Sequence, residues 1–438
     1  MPDSLMSLQV ADGQKAPTSY AAYAQQGGYQ ALRKAVSQMT PAQVITEIGD
    51  AGLRGRGGSG VLASSKMAEV ARAEGQTRYV VCNAYDADTR SRAAEALLER
   101  NPHAALEGLA LAAFAVGASE AFLYVRSTRE AAAAAVQTAL REAQEQGALG
   151  RDLFGSRFSL AVTVVGAERS FMGGEETVMI EIIKGRPMKA QQRPPYPSEV
   201  GVYAQPTLVQ NVETLANMPA IIARGAGAFK ATGTQRSSGT KLVTLLGPGQ
   251  TTGTLVEVPF GVTLAQIMRA EGLDINESNT RAVVVGGMEG GALPLAQLST
   301  PFDYEPLHQA GAILGSAVIE ALPAGTCMVH WAMERSGYLA RESCGKCVPC
   351  RVGVKRVAGT LEGMVSGLGT QDDLALLTEF AQYVPDGSLC GFGVNAVNPV
   401  VSARRYFAGD FAAHLDGNCP TGSCQPVRAH RYMTKSKL

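Results

Sequence analysis

The stretch ESCGKCVPC, residues 342–350, places three cysteines in nine residues. The spacing Cys344-x-x-Cys347-x-x-Cys350, with one distant fourth cysteine, is the usual way a chain wraps a cubic four-iron cluster. A single short loop must bring three thiolates to three corners of one cube, and Gly345 and Pro349 supply the turns. Zinc is the rival, but structural zinc sites usually draw on two separated C-x2-C pairs, and here the second pair is missing. Unliganded core thiols are the third reading. The fourth ligand expected is Cys390 in DGSLCGFG (386–393), whose glycines let the backbone approach a cluster closely. Cys82, at the end of an apolar strand, and Cys327, at the start of a helix, read as core packing. Cys419 and Cys424 of CPTGSC form a separate tail pair. A metal or a disulfide, with His430 as a candidate partner, and two exposed thiols all fit that spacing.

Around the cysteine stretch the chain reads as helical from residue 326 on. CMVHWAMERSGYL, VKRVAGTLEGMV and DDLALLTEFAQYV carry apolar residues at i, i+3, i+4 spacing, which fits a small bundle. Upstream, from about residue 238, KLVTLLG, TLVEVPF and RAVVVGG are short strands with glycine turns and one short helix, a β-grasp-like pattern. Further upstream, strands RYVVC (78–82), AFLYV (121–125) and SLAVTVV (159–165) alternate with helices. That alternation predicts a parallel sheet with crossover helices. PAQVITEIGDA (41–51) reads as a short helix with Pro41 near its start, RPPYP (193–197) as a link that ends the α/β segment, and QNVETLANMPAII (210–222) as a helix.

Bulk properties narrow the function. A length of 438 residues suggests about three domains at ~150 residues each. Lys+Arg and Asp+Glu are equal at 39, which argues against bulk nucleic-acid binding or a polybasic membrane surface. The N-terminus shows no signal-peptide pattern. LALAAFAVGAS, from Leu109 and bounded by Glu107 and Glu120, is too short to span a bilayer and reads as a buried helix. These features predict a cytoplasmic chain with no direct membrane insertion.

GRGGSG (55–60) spells G-x-G-x-x-G, but a helix and a turn precede it, not the strand that the dinucleotide fingerprint requires. Its glycines let backbone N–H groups converge on an anion, and Arg54, Arg56 and Lys66 add positive charge. A phosphate-bearing ligand and a flexible surface loop both fit. CNAYDADTRSR (82–92) leaves the C-terminal end of a strand, where parallel sheets bind ligands. GGEETVMIEI opens a helix whose first-turn acids, Glu175 and Glu176, are also ordinary helix-dipole complements.

Together, GLRGRGGSG…K, VCNA, GGEET, RPPYP…PT…NVETL, ESCGKCVPCRVG and SLCGFG occur in this order between about residues 41 and 408. This resembles the FMN- and NADH-binding flavoprotein subunit of respiratory complex I, a subunit type that also serves NAD-linked hydrogenases and formate dehydrogenases. The resemblance implies an α/β fold: a Rossmann-like FMN-binding domain, then a β-grasp (SLBB-like) domain, then a C-terminal helical bundle carrying one [4Fe-4S] cluster. Its boundaries would be an N-terminal extension (1–40), the FMN and nucleotide domain (41–237), the SLBB-like domain (238–325), the cluster domain (326–410) and a tail (411–438). Carried over by position, FMN would be cradled by Gly55, Gly57, Gly58, Lys66, Asn83, Gly174, Glu175, Glu176, Asn211 and Thr214. Tyr196 would stack on the nicotinamide nucleotide and Arg193 would sit near a basic position of its pocket. The cluster ligands would be Cys344, Cys347, Cys350 and Cys390. The implied partners are other subunits of an electron-transfer complex, among them a small [2Fe-2S] thioredoxin-like subunit.

Three departures line the implied cleft. Val61 stands where the family has an aromatic expected on the adenine, and Tyr85 stands where it has an acid, with Asp86 and Asp88 keeping a carboxylate nearby. GAERSF (166–171) replaces the usual G-A-G-A-Y. The implied chemistry takes two electrons from NADH to FMN and passes them singly through the cluster, with no side chain as nucleophile or general acid. Glu176, Asp86 and Asp88 would orient the ribose or the nicotinamide amide and, by repelling a 2′-phosphate, favour NAD over NADP. The competing reading is an electron-relay paralogue that keeps the cluster and has impaired or lost nucleotide, and even FMN, binding, because aromatic stacking is lost.

Overall fold

The computed structural model describes Leu8 and residues 18–424. Its first sheet is parallel, in the order β3-β2-β1-β4, from strands β1 (Tyr79–Ala84), β2 (Glu120–Arg126), β3 (Ala161–Ala167) and β4 (Thr207–Asn211). The alternating strands and helices expected from the sequence are present, with one addition. β4 follows the proline link, so RPPYP does not end the α/β layer. The last strand returns beyond it and pairs with β1. Residues 210–222, read as wholly helical, divide at Asn211. Its side chain accepts a hydrogen bond from the Glu213 N–H at 2.9 Å and caps the helix Val212–Arg224. Thr207 to Gln210 are fully buried, and a short buried strand lacks the alternation that marks a half-exposed one.

The helix Pro41–Asp50 starts as its sequence requires, with Pro41 in the first turn and a capping box in which Thr40 and Gln43 satisfy each other's backbone N–H groups. The apolar helix Pro102–Val116 is buried nearly all round. Glu107 lies inside this helix, at the edge of its most apolar run. Its carboxylate accepts the Tyr23 hydroxyl at 2.6 Å and the N–H groups of Tyr29 and Leu32 at 2.8 and 3.0 Å. The N-terminal helices Tyr20–Gln25 and Gln30–Gln38 are therefore docked through a buried acid whose hydrogen bonds are satisfied.

The second sheet is mixed, in the order β6-β5-β9-β7-β8, from β5 (Thr240–Leu246), β6 (Thr254–Pro259), β7 (Thr280–Val285), β8 (Gly291–Leu293) and β9 (Val318–Pro323). β5 and β9 run parallel at its centre, flanked by antiparallel neighbours, as in a β-grasp. The sequence pattern missed β8 and β9, because VIEALP alternates poorly and β8 has only three residues. The helices Met328–Glu342, Lys355–Val365, Gln371–Gly387 and Asn398–Tyr406 follow.

The three parts share buried polar junctions. Glu320 on β9 accepts from Arg90, of the loop after β1, and from Arg335, of the helix Met328–Glu342, both at 2.6 Å. A second junction forms at Glu289, whose Oε1 has neither solvent contact nor a hydrogen-bond partner. Burial pushes the Glu289 carboxyl up to about 8, Asn395 opposes the shift by hydrogen bonding, and the Asp88 charge adds to it. The folded chain thus keeps this proton to about pH 8, whereas the unfolded chain loses it near 4.5. Where the folded state holds more protons, stability falls as pH rises. Thermal melts of Glu289→Gln should show a smaller drop in Tm from pH 5 to pH 8 than the parent; equal drops would refute the assignment.

Candidate functional site

The strand order reverses between β1 and β4, and open parallel sheets bind ligands at such a point, outside the carboxyl ends of the strands. Asn83 and Asn211 are register partners there, one at the end of each strand. Two elements converge on the crevice. The glycine loop approaches from one side: Gly57 lies against Asn211, where an added Cβ would sit 3.4 Å from the asparagine Cβ, and the N–H of Arg56 donates to Thr214 Oγ1 at 2.8 Å. Gly58, at φ +109°, would bring a Cβ within 2.8 Å of the Gly315 carbonyl oxygen, so only glycine fits this approach to the β-grasp sheet. Tyr304 closes the loop by donating its hydroxyl to the Gly55 carbonyl at 2.8 Å.

From the other side comes the segment after β3. Asn83 Nδ2 donates to the Gly174 carbonyl at 3.2 Å. Glu175 caps the helix Glu176–Ile183 by accepting from the N–H groups of Thr177 and Val178, both at 2.9 Å. Lys66 Nζ lies 2.8 Å from Glu176, and Arg193 pairs with Glu176 at 2.7 Å and with Glu175. Burial alone would raise the Glu176 carboxyl, but Lys66 and Arg193 outweigh it and hold the group below its ordinary value.

Several sequence expectations change here. Arg54 and Arg56 do not offer their charge to a ligand. Arg54 pairs with Glu305 at 2.9 Å and lies over the Tyr304 ring. Arg56 is buried, donates to the carbonyls of Arg54 and Ser238, and lies over Phe260. Of the three basic groups, Lys66 alone faces the crevice acids. Asp86 and Asp88 are also occupied by the protein. Asp86 accepts from the N–H groups of Ala94 and Glu95, both at 3.0 Å, at the start of the helix Ala93–Arg100. Asp88 is buried and accepts from Met288 N–H and Ser316 Oγ, both at 2.9 Å. Both carboxylates thus spend hydrogen-bonding capacity on the protein's own groups. Tyr196 and Val61 stand exposed at 54% and 48%.

Two of the three cleft departures form one unit. The Tyr85 hydroxyl accepts the Ser170 N–H at 2.8 Å and donates to the Glu168 carbonyl, both within GAERSF. Its ring lies over Gly173, where a Cβ would come within 2.5 Å of it. A tyrosine after β1 and a remodelled segment after β3 thus answer each other. The sequence showed both changes without showing that they touch.

The cysteine loop packs on the Cys390 segment. Pro349 fills the space beside Gly387, and Cys350 lies beside Gly393, where a Cβ would sit 3.3 Å from the cysteine Cβ. Burial pushes the Cys350 thiol up to about 11 and the Cys390 thiol up to about 12. Cys350 and Cys390 are buried in mainly apolar surroundings, and Cys344 and Cys347 are half-buried against the same core.

Phe171 joins the two halves of the site. It follows Ser170 in GAERSF, and its ring lies 5.7 Å from that of Phe392 and 6.3 Å from that of Tyr338. Its N–H donates to Glu342, two residues before Cys344, at 2.7 Å. Glu175 lies near enough to Cys390 to add to the upward push on its thiol. The sequence held no periodic signal for this contact, which only the packing of separate segments creates.

Comparison with known proteins agrees with this geometry. Residues 48–220 match the Nuo51 FMN-binding domain, and residues 330–414 match the NADH-ubiquinone oxidoreductase-F iron-sulfur binding region. The chain is 34% identical over 421 residues to the NADH-quinone oxidoreductase F subunit 2 of Rhizobium meliloti (strain 1021), covering 96% of this chain and 99% of that protein. The chain belongs to the NADH-quinone oxidoreductase F-subunit family. Within and around this family, it is 36% identical to the NADP-reducing hydrogenase subunit HndC of Solidesulfovibrio fructosivorans, over 93% of this chain and 83% of that one. The crystal structure of an NAD+-reducing [NiFe]-hydrogenase in the H2-reduced state superposes with a TM-score of 0.79 at 31% identity. That match covers 89% of this chain and 64% of the hydrogenase chain, so the chain spans somewhat under two thirds of that relative. The family resemblance read from the six motifs is thus borne out.

Proposed function

We infer that the chain is a flavin- and iron–sulfur-containing subunit of a multi-subunit oxidoreductase, moving electrons between NAD(H) and an iron–sulfur chain. The observation that carries this reading is the packing of the switch-point crevice on the cysteine site through Phe171, whose ring meets Phe392 and Tyr338 and whose N–H donates to Glu342, two residues before Cys344. Bound FMN supplies the interchange between two-electron and one-electron chemistry. Gly55, Gly57, Gly58, Asn83, Gly174, Asn211 and Thr214 shape its seat, and Lys66 meets its phosphate. Glu175 and Glu176 hold Lys66 and Arg193 in place beside that seat. Cys344, Cys347, Cys350 and Cys390 hold the [4Fe-4S] cluster, with Cys350 and Cys390 on its buried side and Cys344 and Cys347 half-buried, and that shell sets its potential. Tyr196, exposed on the Pro-rich loop, is free to stack on a nucleotide.

The reading extends to a peripheral, cytoplasmic position beside other electron-transfer subunits, including a small [2Fe-2S] thioredoxin-like one. Among the described residues no helix is long and apolar enough to cross a membrane. The test is NADH-dependent ferricyanide reduction by the FMN-loaded chain. Turnover with bleaching of the flavin by NADH is the expected result. A tightly bound flavin that NADH and NADPH both fail to bleach would replace this reading with the electron-relay one.

A further inference from the structure

Cys327, Cys419 and Cys424 lie outside the site described above, and the fold brings all three to His414. The four donor atoms lie within 4.8 Å of one another. Cys327, read from sequence as core packing, immediately precedes the helix Met328–Glu342. His414 sits in the helix Ala408–Leu415, and the CPTGSC turn brings in the other two thiols. His430, the partner considered from sequence, lies outside the described residues; the histidine that meets the pair is His414.

We propose that Cys327, His414, Cys419 and Cys424 form a structural zinc site. Three observations carry it. The first is the donor set: three cysteines and one histidine are a standard complement for tetrahedral structural zinc. The second is spacing. His414 Nε2 lies 3.6 Å from Cys327 Sγ and 3.5 Å from Cys424 Sγ. Zinc bonds of about 2.0 Å to nitrogen and 2.3 Å to sulfur, at tetrahedral angles, put such donors about 3.6 Å apart. A four-iron cube does not fit between thiols this close. The third is the orientation of the ring. His414 Nδ1 donates to the Asp410 carbonyl at 2.7 Å, which leaves the Nε2 lone pair facing the thiols. Asp410 also accepts the Met328 N–H at 3.1 Å through its side chain, so one residue positions both His414 and the helix start beside Cys327.

The site staples the end of the described chain to the start of the 15-residue helix whose other end leads into Cys344. At 1.5 Å per residue the two metal centres stand at opposite ends of a rod about 22 Å long. Zinc carries no electrons, so the centre acts on the register of that helix and not on electron flow.

The test uses the full chain, purified anaerobically after expression with added zinc and iron, with both metals counted on the same sample. The expected parent holds about one zinc per chain beside the iron of its cluster. The double variant Cys419→Ser/Cys424→Ser, and separately His414→Gln, should lose the zinc, keep the iron, and become cleavable by protease near residues 416–424. Substitution of the parent with cobalt should give the visible absorption of a tetrahedral thiolate site, a readout that needs no variant to fold. A parent without zinc, a zinc count unchanged in both variants, loss of iron in place of zinc, or a Cys419–Cys424 disulfide in the isolated protein would each overturn the proposal. Iron and flavin content report on the electron-transfer reading independently, so failure of one leaves the other standing.

Discussion

Cys390→Ser should leave NADH–ferricyanide turnover largely intact while lowering reduction of the natural iron–sulfur partner by more than about 100-fold, since altering even the shell around metal ligands costs roughly 10–100-fold. The physical basis is ligand chemistry. A thiolate is the donor that binds iron, and a serine hydroxyl at neutral pH does not replace it. Cys390 is buried against a mainly apolar core, so removing its thiolate leaves one corner of the cluster without its expected protein ligand. Ferricyanide can draw electrons at the flavin, whose expected seat lies across Phe171 from this cysteine. The split between the two activities is therefore the readout, with iron content beside it. Unchanged iron together with unchanged partner reduction would remove Cys390 from the ligand set.

Gly58→Val should empty the flavin site while sparing the cluster. At φ +109° a β-branched residue is strained by about 1–3 kcal/mol before any contact is considered. Its Cβ would also meet the Gly315 carbonyl oxygen at 2.8 Å, and Gly315 is itself held at φ +51° against Gly286. The loop must then move away from the β-grasp sheet, which displaces Gly57 from Asn211. With roughly 1.4 kcal/mol per tenfold in affinity, FMN content after gel filtration should fall by at least about tenfold. Iron should stay at the parent level. Gly227→Ala, where a Cβ meets nothing within 4 Å, is the control and should retain FMN. Full flavin retention in Gly58→Val would show that the glycine loop is not its seat.

Local chemistry made much of this chain legible. The C-x2-C-x2-C loop, the glycine run, the capped helix at Pro41 and the alternating strands are each written in a few adjacent residues, because turns, caps and amphipathic periods are short-range effects. Residues whose surroundings depend on distant neighbours were less legible. Arg56 looked like a phosphate ligand until its guanidinium was found against Ser238 and Phe260. Asp86 and Asp88 were expected to orient a ribose or a nicotinamide amide, and the sequence did not show that backbone N–H groups of Ala94 and Met288 also reach them. Glu107 stood out only as the charge at the edge of an apolar run, whereas three donors from the N-terminal segment close on it.

By itself, the order of residues determined the family, the α/β, β-grasp and helical succession, and which thiols are spaced for a four-iron guest. Only the tertiary structure decided that β4 returns beyond the prolines to make the switch point, that Tyr85 and the remodelled segment after β3 are one unit, and that Cys327 meets His414 and the tail pair. The physical reason is range. Hydrogen-bond caps and apolar periods act over a few residues, whereas burial of a charge or convergence of four ligands depends on segments as far as 200 residues apart meeting in one core.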